Sequence, residues 1–173
     1  MLKNDKKSNE ASLKYVIFGS FASGLMLFGL SWLYGISGST NIYEIYKTIQ
    51  IIDNPYMIYM SLMLILIGFG YKISMAPLHY WTPDVYEGSP TIVTAFFSAA
   101  PKAAGFAILI RTFFILFTST NSLTIDALPL EGIDWFLIVA VLSAATMTIG
   151  NLLALKQDNV KRMLAYSTIS HVG

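Results

Sequence analysis

The sequence predicts an all-α fold, a polytopic bundle of transmembrane helices with about four full spans, a truncated fifth and one broken helix. Only 12% of the 173 residues are charged, whereas soluble domains have about 25%. Several apolar stretches reach the ~20 residues that a helix needs to cross a bilayer. Prolines lie inside two of these stretches, which favours an interrupted helix over a set of straight ones.

The first two spans differ in length. The first covers residues 13–34, and a polar connection after it contains IYEIYKTIQII, which predicts a short surface helix. The second covers residues 55–81 and is too long for one straight crossing. Pro77 cannot donate a backbone hydrogen bond to the carbonyl of Ile73. We therefore expect the second helix to be broken near residues 72–77.

The remaining elements alternate with polar connections. The acidic segment TPDVYEGSP predicts a solvated turn, and the third span follows at residues 91–117. A loop, TSTNSLTIDALPLEGID, leads to the fourth span at residues 135–155. After KQDNVKR, residues 161–173 begin a fifth span that crosses only about half of a ~30 Å core. Residues 1–173 are therefore expected to be a fragment of one larger membrane domain.

Positive charge predicts the orientation of the chain. If the N-terminus is cytoplasmic, the loops on that side hold most of the basic residues and the outer loops hold one lysine. The positive-inside rule favours this arrangement. The inner basic residues are Lys3, Lys6, Lys7, Lys14, Lys156, Lys161 and Arg162.

Composition also excludes several kinds of site. The chain has no basic stripe, so we expect no nucleic-acid partner. Without cysteine it cannot use thiolate catalysis or ligate zinc or iron–sulfur clusters through cysteine. The two histidines, His79 and His171, fall in different spans and form no metal-ligand motif. The expected surroundings are lipid and other membrane helices.

Two lysines interrupt the apolar spans. Lys72 lies beside the expected break, where backbone carbonyls without helical partners can surround an ammonium. Charged residues at membrane depth mark ion or proton pathways, since placing one there costs at least ~2.5–3.5 kcal/mol. The alternative is a lysine that extends to the membrane surface. The depth of Lys72 favours a proton-transfer role.

Lys102 lies near the middle of the third span and follows a stripe of hydroxyls. Thr91, Thr94, Ser98 and Lys102 are spaced three, four and four residues apart, which places them on one helix face. Such a stripe can guide protons to the lysine, but Thr and Ser also join neighbouring helices. For the hydroxyls we favour the helix-joining role, and for Lys102 we favour proton transfer.

His79 and Lys14 are further candidates. An imidazole titrates near neutral pH and can pass on protons. His79, seven residues after Lys72, fits this role and an interfacial hydrogen-bonding role equally well. Lys14, in the first turn of the first span, is by sequence alone best explained as a positive-inside anchor.

The segment GFGYKISMAPLHYWTPDVYEGSPTIVTAFFSAAPKAAGFAILIR resembles the subunit N family of respiratory NADH:quinone oxidoreductase, complex I. The flanking segments EASLKYVIFGSFASGLMLFGLSWLYG and GNLLALKQDNVKRMLAYSTISHVG resemble the same family. The resemblance implies an antiporter-like membrane domain of inverted repeats with broken helices, a common transporter design. It covers nearly the whole chain.

The resemblance implies roles for four residues. The proton-pumping lysines of the family match Lys72 in GYKIS and Lys102 in APKAA. Lys14 in SLKY matches a further lysine of the polar chain, and His79 in PLHYW matches a histidine of the central axis. The glutamate that the family pairs with the broken-helix lysine, and the lysine of the second repeat, have no counterpart here.

The resemblance implies a proton-translocating subunit of NADH:quinone oxidoreductase that couples quinone reduction to pumping. It belongs to a translocase but contains no redox site. NADH, FMN, iron–sulfur clusters and quinone would bind elsewhere in the complex, and other membrane-arm subunits would be its partners. The expected location is a bacterial inner membrane, with an organellar inner membrane less favoured.

Two alternatives remain. The chain can belong to an Mrp-type cation/proton antiporter or a membrane-bound hydrogenase. It can also be a structural membrane-arm subunit whose lysines only pair with partner helices.

Overall fold

The computed structural model describes residues 5–52, 55–120, 127–129 and 134–173. These residues are almost entirely helical, and four helices are long and apolar enough to cross a membrane, which confirms the predicted helix bundle. The elements in chain order are α1 (Lys6–Ser37), α2 (Ile42–Ile49), α3 (Pro55–Ile73), α4 (Trp81–Gly88), α5 (Thr91–Phe117), β1 (Thr118–Thr120), β2 (Ala127–Pro129), α6 (Trp135–Ala154) and α7 (Val160–Val172).

Helix α1 is longer than the expected first span, because it begins at Lys6 and ends at Ser37. The side chain of Asp5 accepts a hydrogen bond from the backbone N–H of Lys7 and so caps the helix. The polar first turns therefore extend the apolar span in one continuous helix. The short helix expected after it is present as α2.

The predicted helix break is confirmed, and it begins before Pro77. Ser74 has a left-handed backbone, with φ of 65°. The backbone N–H of Met75 donates to the Gly70 carbonyl at 2.8 Å, and that of Ser74 donates to the Tyr71 carbonyl at 3.2 Å. This pair of bonds is a Schellman motif, which ends a helix and satisfies its last carbonyls. Lys72 thus lies in the final turn of α3.

Hydrogen bonds from neighbouring elements hold the break. The indole N–H of Trp81 donates to the Tyr71 carbonyl at 3.0 Å. The hydroxyl of Thr146 on α6 accepts from the backbone N–H of Ala76, also at 3.0 Å. The Thr82 hydroxyl donates to that of Ser74 at 2.7 Å. We expected backbone carbonyls without hydrogen-bond partners at the break. For the Tyr71 carbonyl this expectation is wrong, because it accepts hydrogen bonds from Ser74 and Trp81.

The acidic segment expected to be a turn forms helix α4 instead. This helix packs between α1 and α7, and most of its residues are buried. A Cβ atom added at Gly88 would lie 2.7 Å from the Cβ of Ala11 and from the Lys7 carbonyl oxygen. This close approach to α1 explains why α4 docks as a helix rather than projecting into solvent.

The apolar core lies among α2, α3, α5 and the start of α6. Leu62, Ile65 and Phe113 are fully buried there. The indole of Trp135 donates to the Phe117 carbonyl at 3.0 Å and joins α6 to α5. The connection between these helices was expected to be a loop, but it contains an antiparallel pairing of β1 with β2. Part of the same connection lies outside the described residues.

Candidate functional site

Lys102 is buried in the middle of α5. It is only 6% exposed, and its Nζ has no hydrogen-bond partner among the residues that the structure describes. The ammonium lies 5.9 Å from the ring centroid of Tyr86 on α4, within range of a cation–π interaction. Lys102 is thus an interior lysine without a carboxylate partner in the described part of the chain.

Lys72 occupies a different environment at the end of α3. Its side chain is exposed on the surface of this chain. Within the described ranges it forms no ion pair or side-chain hydrogen bond. The final turn of a helix carries a partial negative charge from its carbonyls, which favours a cation at this position. Lys72 is therefore accessible to groups outside this chain.

The helices that carry the two lysines touch near these residues. A Cβ atom added at Gly105, one turn beyond Lys102, would lie 2.8 Å from Cγ2 of Ile73 and 4.0 Å from the Cβ of Lys72. The end of α3 thus packs against the middle of α5. The lysines themselves have opposite surroundings, one inside the bundle and one on its surface.

His79 lies in the break between α3 and α4 and is 2% exposed. Its ring stacks on Tyr80, with centroids 4.6 Å apart, and meets the edge of Tyr166 on α7 at 6.5 Å. Its Nδ1 has no hydrogen-bond partner in the described part of the chain. His79 is therefore enclosed by other residues of this chain.

The hydroxyl stripe before Lys102 bonds to nearby backbone. Thr94 donates to the carbonyls of Pro90 and Tyr86 at 3.2 and 3.3 Å, and Ser98 donates to that of Ala95 at 2.8 Å. These bonds fit the structural role favoured for the hydroxyls. Thr94 also joins the start of α5 to α4.

Lys14 belongs to a group of paired charges that joins α1, α4 and α7. Its Nζ lies 2.6 Å from Oδ2 of Asp84 and 2.6 Å from Oε1 of Glu10. Arg162 donates to Asp84 at 2.7 Å and to Glu87 at 3.1 Å. Glu87 also accepts from Lys7 at 2.8 Å. We call Lys7, Glu10, Lys14, Asp84, Glu87 and Arg162 the ion-pair cluster.

Every member of the cluster except Lys14 lines a cleft of about 250 Å³. Burial raises the pKa of Asp84, but hydrogen bonds from Lys14 and Arg162 outweigh this effect and lower it below its ordinary value of 3.8. Hydrogen bonds from Lys7 and Arg162 lower the pKa of Glu87 below 4.5. Both carboxylates are therefore ionised near neutral pH and hold the three helices together.

Sequence reasoning missed Arg162 and Tyr86 as parts of these arrangements. Asp84 and Glu87 are three residues apart and would share one face of a helix, which is a signal for a joint binding role. That signal depends on recognising α4 as a helix. Nothing in the sequence around Tyr86 indicated its position beside Lys102, because a tyrosine in an acidic segment is not by itself a sign of burial.

The described residues include no group of three or more histidines or carboxylates arranged to hold a metal ion. The features that remain are interior polar side chains and paired charges. Such an arrangement can hold or pass protons.

The whole chain, residues 1–173, matches the model of a family described as "NADH:quinone oxidoreductase/Mrp antiporter, TM". A relative from Sorangium cellulosum named NADH-quinone oxidoreductase subunit N 2 is 51% identical, over 98% of this chain and 34% of the relative. The chain thus spans about a third of the length of the curated relatives that it matches.

Two solved structures share the fold. Respiratory complex I from Thermus thermophilus contains a chain 35% identical, with a TM-score of 0.75 over 98% of this chain and 34% of that chain. An archaeal membrane-bound sulfane sulfur reductase contains one 29% identical, with a TM-score of 0.82 over 98% of this chain and 33% of that chain. Both are respiratory complexes.

Proposed function

Since this chain belongs to the family of NADH:quinone oxidoreductase and Mrp antiporter membrane subunits, we propose that it forms part of a proton-translocating subunit of NADH:quinone oxidoreductase. The relatives named subunit N support the choice of complex. The observation that carries the proposal is Lys102, a lysine buried in a membrane-length helix without a carboxylate partner among the described residues.

In this proposal Lys102 and Lys72 exchange a proton. A buried ammonium without a counter-ion is costly, so its protonation responds strongly to nearby charge. A unit charge about 7 Å away contributes about 2.4 kcal/mol at an effective dielectric constant of about 20. Movement of a carboxylate beside the exposed Lys72 is then sufficient to change which lysine holds the proton. By the family resemblance, that carboxylate lies outside these residues.

His79 and Lys14 have different roles in this mechanism. His79 is buried with a free Nδ1 and can accept a proton on its way between the two lysines. Lys14 is paired with two carboxylates of the ion-pair cluster, and by the family resemblance it is a further lysine of the polar chain. Lys72 and Lys102 remain the principal residues, and the cluster keeps α4 in place beside them.

The proposed setting is a bacterial inner membrane, with the N-terminal end of α1 and the ion-pair cluster on the cytoplasmic side. Other membrane-arm subunits surround the domain. The complex binds NADH, FMN, iron–sulfur clusters and quinone in other subunits, and quinone reduction there supplies the energy.

Substitution of the two lysines in the complete complex tests the proposal. Lys72→Ala, Lys102→Ala and the double variant are compared in native membrane vesicles. Assembly, NADH:quinone reductase rate and formation of a pH gradient are measured in the same vesicles. Lys156→Ala is the matched control, because Lys156 is exposed in the connection between α6 and α7.

We expect assembled complexes in which each single variant lowers proton transport and the double variant abolishes the contribution of this subunit. A structural role instead predicts that assembly and reductase rate fall together. An unchanged pH gradient in the assembled double variant would exclude the proposal.

A cation/proton antiporter of another respiratory complex is the second candidate, because the fold also matches the sulfane sulfur reductase closely. The same vesicles separate the two. Only a subunit of NADH:quinone oxidoreductase shows a lysine-dependent pH gradient that requires NADH and quinone.

A further inference from the structure

Three buried side chains around α4 have polar atoms without partners among the described residues. They are Nζ of Lys102, the hydroxyl of Tyr86 and Nδ1 of His79. All three residues are at most 6% exposed. Buried polar groups in native proteins are hydrogen-bonded to protein or to ordered water in about 90% of cases or more. Their presence together indicates an interior that is hydrated in the working protein.

Tyr86 lies between Lys102 and helix α7. One face of its ring is 5.9 Å from the Lys102 ammonium. Its phenol lies next to the hydroxyl of Thr168, which donates its own hydrogen bond to the Ala165 carbonyl at 2.7 Å. The Tyr86 hydroxyl thus extends from the lysine toward α7.

Helix α7 also contacts His79. Tyr166, two residues before Thr168, meets the ring of His79 with centroids 6.5 Å apart. The imidazole ring of His79 and the Tyr86 hydroxyl therefore both border α7. A phenylalanine at position 86 would fill the same volume and keep the ring beside Lys102, so packing alone does not require the hydroxyl.

We propose that the hydroxyl of Tyr86 carries protons between Lys102 and the α7 side of the bundle, as a further residue of the translocation path. This inference rests on the proposed function and adds a residue to it.

The transfer leaves the phenol unchanged. The Lys102 ammonium gives one proton, through an intervening water molecule, to the phenol oxygen. At the same time the phenol releases its original proton to an acceptor toward α7, for which His79 Nδ1 is suited. The lysine ends as a neutral amine, the acceptor gains the proton, and tyrosine remains neutral.

The ion-pair cluster fixes the position of Tyr86. Asp84 and Glu87 flank it on α4 and bind Lys14, Lys7 and Arg162. Because these pairs attach α4 to both α1 and α7, the phenol is held at one place relative to Lys102. A group that relays protons needs such fixed geometry.

Tyr86→Phe tests the hydroxyl while it keeps the ring. The complete complex is prepared in membrane vesicles, and assembly, NADH-driven pH-gradient formation and its solvent deuterium isotope effect are measured. We expect an assembled complex with transport about fivefold slower, the rate equivalent of the one hydrogen bond that the hydroxyl would form during the transfer. The isotope effect should increase, because proton transfer becomes more rate-limiting. Tyr43→Phe is the matched control, since Tyr43 on α2 is 63% exposed.

The outcomes separate the two proposals. Normal transport and an unchanged isotope effect in Tyr86→Phe, with transport lost in Lys102→Ala, would overturn the role of Tyr86 and leave the proposed function intact. Normal transport in Lys102→Ala would overturn the proposed function and this inference with it. If Tyr86→Phe does not assemble, His79→Asn removes the acceptor of the relay instead. Unchanged transport in that variant would also overturn the relay.

Discussion

Helix α4 carries polar side chains into two different surroundings. Asp84 and Glu87 face the ion-pair cluster, where each carboxylate meets two basic side chains within 3.1 Å. Tyr86, between them in sequence, faces the interior beside Lys102, where neither the hydroxyl nor the ammonium has a partner in the described part of the chain. One short helix therefore joins a fully paired region to an unpaired one.

Paired and unpaired polar groups are suited to different tasks: the paired ones anchor helices, and the unpaired ones transfer protons. Charges that are paired and partly exposed contribute modest stability and keep their protonation state over a wide pH range. A buried cation without a partner costs stability and changes its protonation readily. The cluster is thus suited to hold α1, α4 and α7 together, and the interior residues His79, Tyr86 and Lys102 are suited to exchange protons.

The largest expected effect comes from Lys102→Met, which removes the interior charge at similar volume. Transport should fall by about a hundredfold or more, the usual contribution of a positioned proton-transfer group. The thermal midpoint of the complex should stay the same or rise, because an unpaired buried charge has been removed. Lys156→Met should leave both unchanged. A clear drop in the midpoint would instead assign Lys102 a structural ion pair.

A smaller effect is expected from Asp84→Asn, which removes two ion pairs of the cluster. Since the partners are partly exposed, we expect a loss of about 1 kcal/mol in stability, measured as a lower midpoint of thermal denaturation of the complex in detergent. Asp158→Asn serves as control, because Asp158 is exposed in the connection before α7. Equal midpoints for the two variants would show that the cluster does not anchor α4.

The smallest expected effect is the loss of thermal stability at low pH, where Asp84 and Glu87 of the ion-pair cluster become protonated. The pKa values of Asp84 and Glu87 lie below their ordinary values of 3.8 and 4.5. Their stabilisation is therefore complete above those ordinary values and is lost as the pH falls through the lowered ones. Thermal midpoints from pH 7 to about pH 3 should fall more steeply in the parent than in a variant with Asp84→Asn and Glu87→Gln. Parallel curves would contradict this assignment.

Part of the site could be read from the sequence. Pro77 predicted a broken helix, and the break is present. It begins at Ser74, within the expected residues 72–77. Its backbone form was not predictable, because Ser74 takes a left-handed conformation that a nonglycine residue adopts at a cost of about 1–2 kcal/mol. Contacts with Thr82 and with α6 hold this segment in place. Those contacts join residues from separate elements, so the local sequence pattern around the break does not predict them.

The two lysines also show that sequence alone does not predict contacts between helices. Lys72 and Lys102 both interrupt apolar spans. The sequence places Lys72 beside a break and Lys102 after a hydroxyl stripe, but it does not indicate which of the two is buried. In the structure Lys102 is buried and Lys72 is exposed on this chain. The distinction arises from which face of each helix packs inward, and that depends on the neighbouring helices.

Composition alone determined that this protein is a helical membrane domain, because transfer of apolar side chains from water to lipid depends on their summed surface and little on their order in space. It also determined that charges would be few, which makes each charge within a span a candidate for a functional role. Tertiary structure decided which charges are paired. Asp84 meets Lys14 across 70 positions of sequence and Arg162 across 78. Electrostatic pairing acts over a few ångströms, so it is fixed only when the helices assemble.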